Sequence, residues 1–316
     1  MKHKYRISGK FKIPSALVGM VMSVIISLLD PTTAESSHKL KVVAKSEQLP
    51  VKDSLIVAYY GRPGVRSLGI LGQYPLEKII PIIKAKAAEY QKLVPNQTVI
   101  PGFNIIHGLA TREPGANKDY ILHLSSKKLM QYINAANQHG FAVFIDLQLG
   151  KRTPLQAVHP VLKYLKYNNV HIALDPEFQV YGLNVRPGKV IGHITGQDIN
   201  QVQAAMSAYL EKNGITEKKI LLVHMFTSRM IVERSPIKNY EKIKLVVNLD
   251  GDGSPELKVK IYNSLYTKIS ASKIAAGFKV FFKVDKPRIM TPKQILGIDP
   301  VKNNRIKQAP KYINYQ

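Results

Sequence analysis

The chain contains no cysteine and no tryptophan. Without cysteine there are no disulfides and no lipid attachment through an N-terminal thiol, so packing alone has to supply stability. Without tryptophan, any ring stacking falls to the 16 tyrosines and 9 phenylalanines. Three familiar motifs are also missing: there is no Gly-x-Gly-x-x-Gly after a strand, no phosphate-binding P-loop and no Gly-x-Ser-x-Gly elbow. Gly61-Arg-Pro-Gly64 reads as a turn. These absences count against nucleotide enzymes, Rossmann oxidoreductases and serine hydrolases. The histidines at 107, 123, 139, 159, 171, 193 and 224 show no His-x-x-x-His spacing, which disfavours zinc. No cofactor is expected. Past the N-terminus no stretch is apolar enough to span a bilayer, and no internal repeat or low-complexity tract interrupts the chain.

Acidic residues are scarce. The 316 residues carry 46 Lys and Arg against 21 Asp and Glu, a formal net charge of +25. Five of those bases (Lys2, Lys4, Arg6, Lys10, Lys12) open the chain, ahead of a mostly apolar run over 13–29 and the small residues Thr32-Thr33-Ala34. Basic, apolar and small-residue regions in that order predict a signal peptide or signal anchor over 1–34, and hence export. Residues 35–53 are polar and read as a linker, which leaves 54–316 as the folded domain. Setting aside the five N-terminal bases and Asp30 leaves 41 bases against 20 acids, a charge of +21 on the remainder. Such a charge favours polyanions. For an exported protein the expected partners are a polysaccharide or an anionic envelope polymer, with no nucleic acid, and membrane contact only through an uncleaved N-terminal segment. The lysines are scattered over helix faces instead of forming one block, so a general basic bias explains them as well.

Within 54–316, short Val/Ile-rich runs alternate with amphipathic segments. Strands are expected at 55–60, 98–106, 142–146, 171–175, 219–226, 243–249 and 278–284, with a weaker eighth at 312–315. Most are continuously apolar, the pattern of parallel strands buried on both faces. Leu76, Ile79, Ile80, Ile83, Ala87 and Tyr90 share one helical face, as do Leu129, Tyr132, Ile133 and Ala136. Thr153-Pro154, Ser254-Pro255 and Thr291-Pro292 each set an N-cap before a first-turn proline, and Gly140 and Gly214 suit helix ends. Seven or eight strand–helix units predict an α/β fold of the (β/α)8 TIM-barrel type. The segments that leave strands (61–75, 107–125, 176–196, 227–241) are long and those that enter strands are short. A barrel elaborates that carboxyl-end face when it binds or transforms a ligand.

Strand ends place Tyr59, Tyr60, Arg62, Asn104, His107, Asp146, Gln148, Asp175, Glu177, His224, Asn248, Asp250, Asp252 and Asp285 on one rim. Several carboxylates therefore converge, although solvation and helix capping use the same residue types. Asp175-Pro-Glu177 is the sharpest pair: with strand spacing, i and i+2 project to one side, where each carboxylate raises the other's pKa and one keeps its proton. An acid beside a base is the requirement for general acid–base catalysis. Asn248-Leu-Asp250-Gly-Asp252-Gly253 opens like a calcium loop, but Val259 stands where a bidentate acid closes it. Metal is not expected, and calcium on Asn248, Asp250 and Asp252 is the weak exception.

At the Asp175-x-Glu177 pair the chain resembles barrel glycoside hydrolases, notably the chitinase-like and muramidase-like lysozyme families, which carry Asp-x-Glu at the end of the fourth strand. The resemblance implies Glu177 as proton donor and Asp175 as its orienting or stabilising neighbour. Chitinases carry a further Asp two residues earlier, where this chain has Ala173. On this reading Asp146 and Asp250 join Glu177 and Asp175 in catalysis, while Tyr59, Tyr60, Arg62, Asn104, Gln148, His224 and Asp285 contact substrate. Tyr74, Phe103, Phe178 and Tyr181 lie near the same rim and offer stacking faces or core packing. A non-catalytic envelope protein that binds anionic polysaccharide, and a structural module of a surface assembly, remain alternatives.

Overall fold

Eight parallel strands hydrogen-bond side by side until the last returns to the first. In this computed structural model, which describes residues 54–269 and 274–316, the strands are β1 (Leu55–Gly61), β2 (Val99–Ala110), β3 (Ala142–Gln148), β4 (Val170–Asp175), β5 (Lys219–Met225), β6 (Ile243–Leu249), β7 (Ala275–Val280) and β8 (Tyr312–Tyr315). The expected leader and linker, 1–34 and 35–53, lie outside the described residues. Each strand pairs with the next in order, and β1 pairs with both β2 and β8, which closes the sheet. The protein is a (β/α)8 barrel of the TIM type. Among the described residues no helix is long and apolar enough to cross a membrane.

Helices α1 (Leu76–Gln91), α2 (Ser126–His139), α3 (Pro154–Val158), α4 (Gly196–Lys212), α5 (Pro255–Thr267) and α6 (Pro292–Ile295) lie between strands. Their starts follow the sequence: Ser125 and Ser254 accept from the third helical amide, and Thr153, Thr195 and Thr291 form capping boxes. Each such cap is worth about 1 kcal/mol. Gly140 ends α2 at φ 67°, a left-handed conformation that costs other residues energy. The stripes Ile79, Ile83, Ala87, Tyr90 and Leu129, Tyr132, Ile133, Ala136 are buried, as the periodicity predicts.

Some boundaries differ from the sequence reading. β2 runs four residues beyond the expected end at 106, shifts register between Ile106 and Gly108, and folds back onto an antiparallel strand at Ile121–His123. The expected loop thus holds a hairpin over the rim. β7 ends at Val280, because the Asp285 carboxylate accepts the Phe281 amide and turns the chain out of the ladder. Between β5 and β6 the chain crosses without a helix, packing Met230, Ile231 and Ile237 instead.

Alternate residues face inward. Ile56, Ala58, Phe144, Ala173, Leu222, Val246 and Tyr312 are among those that fill the barrel, while a larger apolar layer packs between strands and helices. At about 1.5–3 kcal/mol for each large side chain buried, that outer layer dominates the stabilisation. The interior can then accept polar groups at one end. Interior space is tight: a Cβ on Gly277 would stand 2.7 Å from Asn248 Oδ1 and 3.2 Å from the Tyr312 ring. Gly277→Ala is therefore expected to destabilise the fold by about 1–3 kcal/mol. Urea unfolding checks this, and an unchanged midpoint would contradict it.

Candidate active site

Carrying the inward alternation to the carboxyl end of the barrel gives one residue per strand: Tyr60, Asn104, Asp146, Asp175, His224, Asn248, Lys279 and Asn314. All are polar and all are buried. Asp146 Oδ1, Asn104 Oδ1, Asn248 Oδ1 and Asn314 Nδ2 have no hydrogen-bond partner among the described residues. An unsatisfied buried polar atom costs about 1–3 kcal/mol. Four such atoms gathered at one end of the barrel suit a site that meets a polar ligand.

His224 is the hub. Its Nε2 lies 2.8 Å from Asp146 Oδ2 and its Nδ1 lies 2.7 Å from Asp250 Oδ2. Two carboxylates flank the two ring nitrogens, so both nitrogens carry protons. Burial works against the imidazolium charge, but Asp250 and Asp146 together outweigh it and raise the His224 pKa to about 10. Asp250 also accepts from Lys279 Nζ at 3.1 Å and from Asn248 Nδ2 at 2.6 Å. Burial would raise the Asp250 pKa, yet His224 and Lys279 overcome it and hold the carboxyl below its usual range. Lys279 sits 4.1 Å from the centre of the Tyr60 ring, a cation–π contact, and the Tyr60 ring meets His224 edge-on. Two formal positive and two formal negative charges thus balance inside the barrel mouth.

Asp175 faces this balanced cluster. Desolvation is the largest influence on it; the attraction of His224 is offset in part by Asp146 and Glu177, and its pKa rises to about 7. Glu177 is raised too, chiefly by burial, with Lys279 and His224 opposing and Asp250 reinforcing the shift. The two carboxyls come together by a different route from strand alternation. β4 stops at Asp175 because Pro176 has no amide for the ladder. Pro176–Phe178 then form one 3-10 turn, capped by Asp175 Oδ1 accepting from the Glu177 amide at 3.1 Å. Asp175 is buried, whereas Glu177 is half-buried and open to the rim.

The other expected residues are placed as follows. Tyr59 points the opposite way from Tyr60 and stacks on Tyr315 and Phe282 outside the barrel. Phe103 packs against Tyr132 and Phe141 in the helix layer. Arg62 donates to the Ile106 and His107 carbonyls, and Gln148 accepts from the Ala110 amide, so both brace the β2 bulge. Asp285 pairs with Lys258 at 2.9 Å and accepts from the Gly253 and Phe281 amides. Lys258 also donates to the Gly251 and Lys279 carbonyls, so this buried pair knots two rim loops. Of the calcium candidates, Asn248 points its amide at Asp250, and Asp250 is already engaged by His224 and Lys279. Asp252 is exposed. Among the described residues no group of three or more His, Asp or Glu is arranged to hold a metal ion.

Lys279 and Asn314 are central here and were not singled out in the sequence. Their signal was a lone Lys in Ala-Ala-Gly-Phe-Lys-Val and a lone Asn in Tyr-Ile-Asn-Tyr, polar side chains inside buried strands. No protein-family model matches the chain, and no curated protein matches it. Fold and site together define the class: a (β/α)8 barrel whose carboxyl-end mouth holds a balanced Asp–His–Asp–Lys cluster beside two carboxyls of raised pKa.

Two outcomes follow. Lys258→Met leaves the Asp285 carboxylate buried without its cation, and is expected to destabilise the fold by about 3–5 kcal/mol in chemical denaturation. Asp175 titrates near 4 when unfolded and about 7 when folded. Its contribution to stability is therefore fully present below pH 4 and is lost as pH rises through 7. Asp175→Asn keeps the cap acceptor and removes this loss, so above pH 7 it is expected to stabilise the protein by on the order of 2 kcal/mol. Below pH 4 the gain should vanish. Thermal melts from pH 4 to 8 measure it, and a gain independent of pH would contradict the assignment.

Proposed function

We propose that the protein is a glycoside hydrolase that cleaves an envelope or extracellular polysaccharide by carboxylate acid–base catalysis. The observation that carries this reading is the juxtaposition of Asp175, whose carboxyl is pushed up to about 7 by burial, and Glu177, which burial also raises, with Asp250, a carboxylate held below its usual range by His224 and Lys279. Acid and base are separated by environment within one barrel mouth, which is how two carboxyl groups take different roles.

Glu177, the more accessible of the pair, delivers its proton to the glycosidic oxygen as the bond from that oxygen to the anomeric carbon breaks. Asp175 holds the Glu177 amide and fixes the turn that presents it. Asp250 faces the positive charge that develops on the sugar ring, and its ties to His224 and Lys279 keep it in place. Water then adds its hydroxyl to the anomeric carbon and gives its proton to a carboxylate of the site. Tyr60, Asn104 and Asn314 supply polar contacts around the sugar. The N-terminal pattern of the sequence supports action outside the cytoplasm, where such glycans are found.

Glu177→Gln is expected to abolish the release of reducing ends from the cleaved glycan while the thermal midpoint stays within a degree or two. Wild-type activity should fall on the alkaline side as the acid loses its proton, with that limb displaced upward from the usual carboxyl range because burial raises both Asp175 and Glu177. Full activity in the Glu177→Gln protein would end this reading.

A further inference from the structure

Beside the acid lies a second feature that hydrolysis alone does not use. The loop after Phe178 leaves the barrel and returns at Gly192, whose amide donates to the Glu177 carbonyl at 2.7 Å. Val180 is tied to the Gly150 carbonyl at 2.8 Å. Any Cβ on Gly192 would collide with the backbone of Pro176 and Gln179, so the loop ends are clamped against the turn that carries Glu177. Between this loop and the end of β2 is a cavity of about 380 Å³, lined by Thr111, Arg112, Phe178, Arg186, Pro187 and Lys189 among others. Three of its lining side chains are cations and none is an acid. Arg112, Arg186 and Lys189 make no ion pair with any acid among the described residues. The three cations are exposed at the cavity's edge, and Glu113, which follows Arg112, does not line the cavity.

Cations gathered in a concavity without a counter-charge repel one another and are relieved by an anion. Two guanidinium groups suit the paired oxygens of a carboxylate or phosphate, and the ring of Phe178 offers an apolar face for a sugar. Phe178 is the residue next to Glu177, so a group held in the cavity lies one step along the rim from the acid. We propose that this cavity is the subsite for an anionic substituent, carboxylate or phosphate, on a sugar next to the cleaved bond, so that the substrate is an acidic glycan. The substrate assignment rests on the hydrolase reading above. The anion site itself does not.

The test separates the two. The full-length Glu177→Gln protein is titrated with glucuronate, glucose 6-phosphate and glucose, and the backbone amides of Thr111, Arg112 and Lys189 are followed by NMR. Binding of at least one acid about tenfold tighter than glucose is expected, weakening as salt is added. Which acid binds tells a carboxylate-bearing glycan from a phosphate-bearing one. Adding Arg112→Ala and Arg186→Ala should weaken that acid by about tenfold or more and leave glucose unchanged. The charge-matched pair Lys212→Ala and Lys218→Ala, exposed residues towards the amino end of the barrel, should change nothing. Equal binding of acids and glucose, or an acid affinity indifferent to the two arginines, overturns the anion site. Selective acid binding by a protein that cleaves no glycan would leave the site standing and overturn the hydrolase reading alone.

Discussion

The imidazole of His224 meets a carboxylate at each nitrogen, and the arrangement of the barrel mouth depends on that double contact. Asp146 comes from β3, two strands away from β5, and Asp250 follows the end of the neighbouring β6; they stand 78 positions before and 26 positions after His224. A neutral imidazole has one donor and one acceptor, so it would leave one carboxylate facing a lone pair. Protonation removes that conflict and fixes the ring, its charge and both acids together. The contact to Asp146 reaches across β4, where the inward residue is the small Ala173, paired in register with Asp146.

From that hub the electrostatics of the neighbours follow. Lys279 and His224 between them neutralise Asp146 and Asp250, so the surroundings of Asp175 carry little net charge with which to hold it ionised. Desolvation then prevails and its proton stays on towards neutrality. Such a carboxyl, together with the unpartnered amide and carboxylate atoms around it, costs the fold free energy. The outer layer between strands and helices offsets this, since it buries far more apolar surface than the interior does. A barrel separates these duties: stability sits outside the strands and chemistry at their carboxyl ends.

Much of the barrel was legible in the chain because its signals are local. Apolar runs of strand length, caps such as Thr153 and Thr291, and the left-handed Gly140 act within a few residues of themselves. The eighth strand was weaker, because four residues carry little pattern. The helix-free crossover after β5 and the hairpin at Ile121–His123 were not legible, since they depend on what packs across the rim. Among site residues, Asp146, Asp175, Glu177, His224 and Asp250 could be listed from strand ends. Their roles could not, and Arg62, Gln148 and Asp285, which look the same in sequence, brace loops instead.

The sequence by itself determined the parallel strands, the helix starts, the strong positive charge and the concentration of polar residues where strands end. These follow from propensity, periodicity and composition, which need no partner. Tertiary structure decided which of those polar residues meet. Tyr59 and Tyr60 are neighbours in the chain, yet pleating sends one to the helix layer and the other to the mouth. Lys279 became the partner of Asp250, and three cations from two loops, Arg112 on one and Arg186 and Lys189 on the other, came to line one cavity. The reason is closure: only when β8 returns to β1 do residues over two hundred positions apart share one small volume, and there electrostatics acts through distance in space.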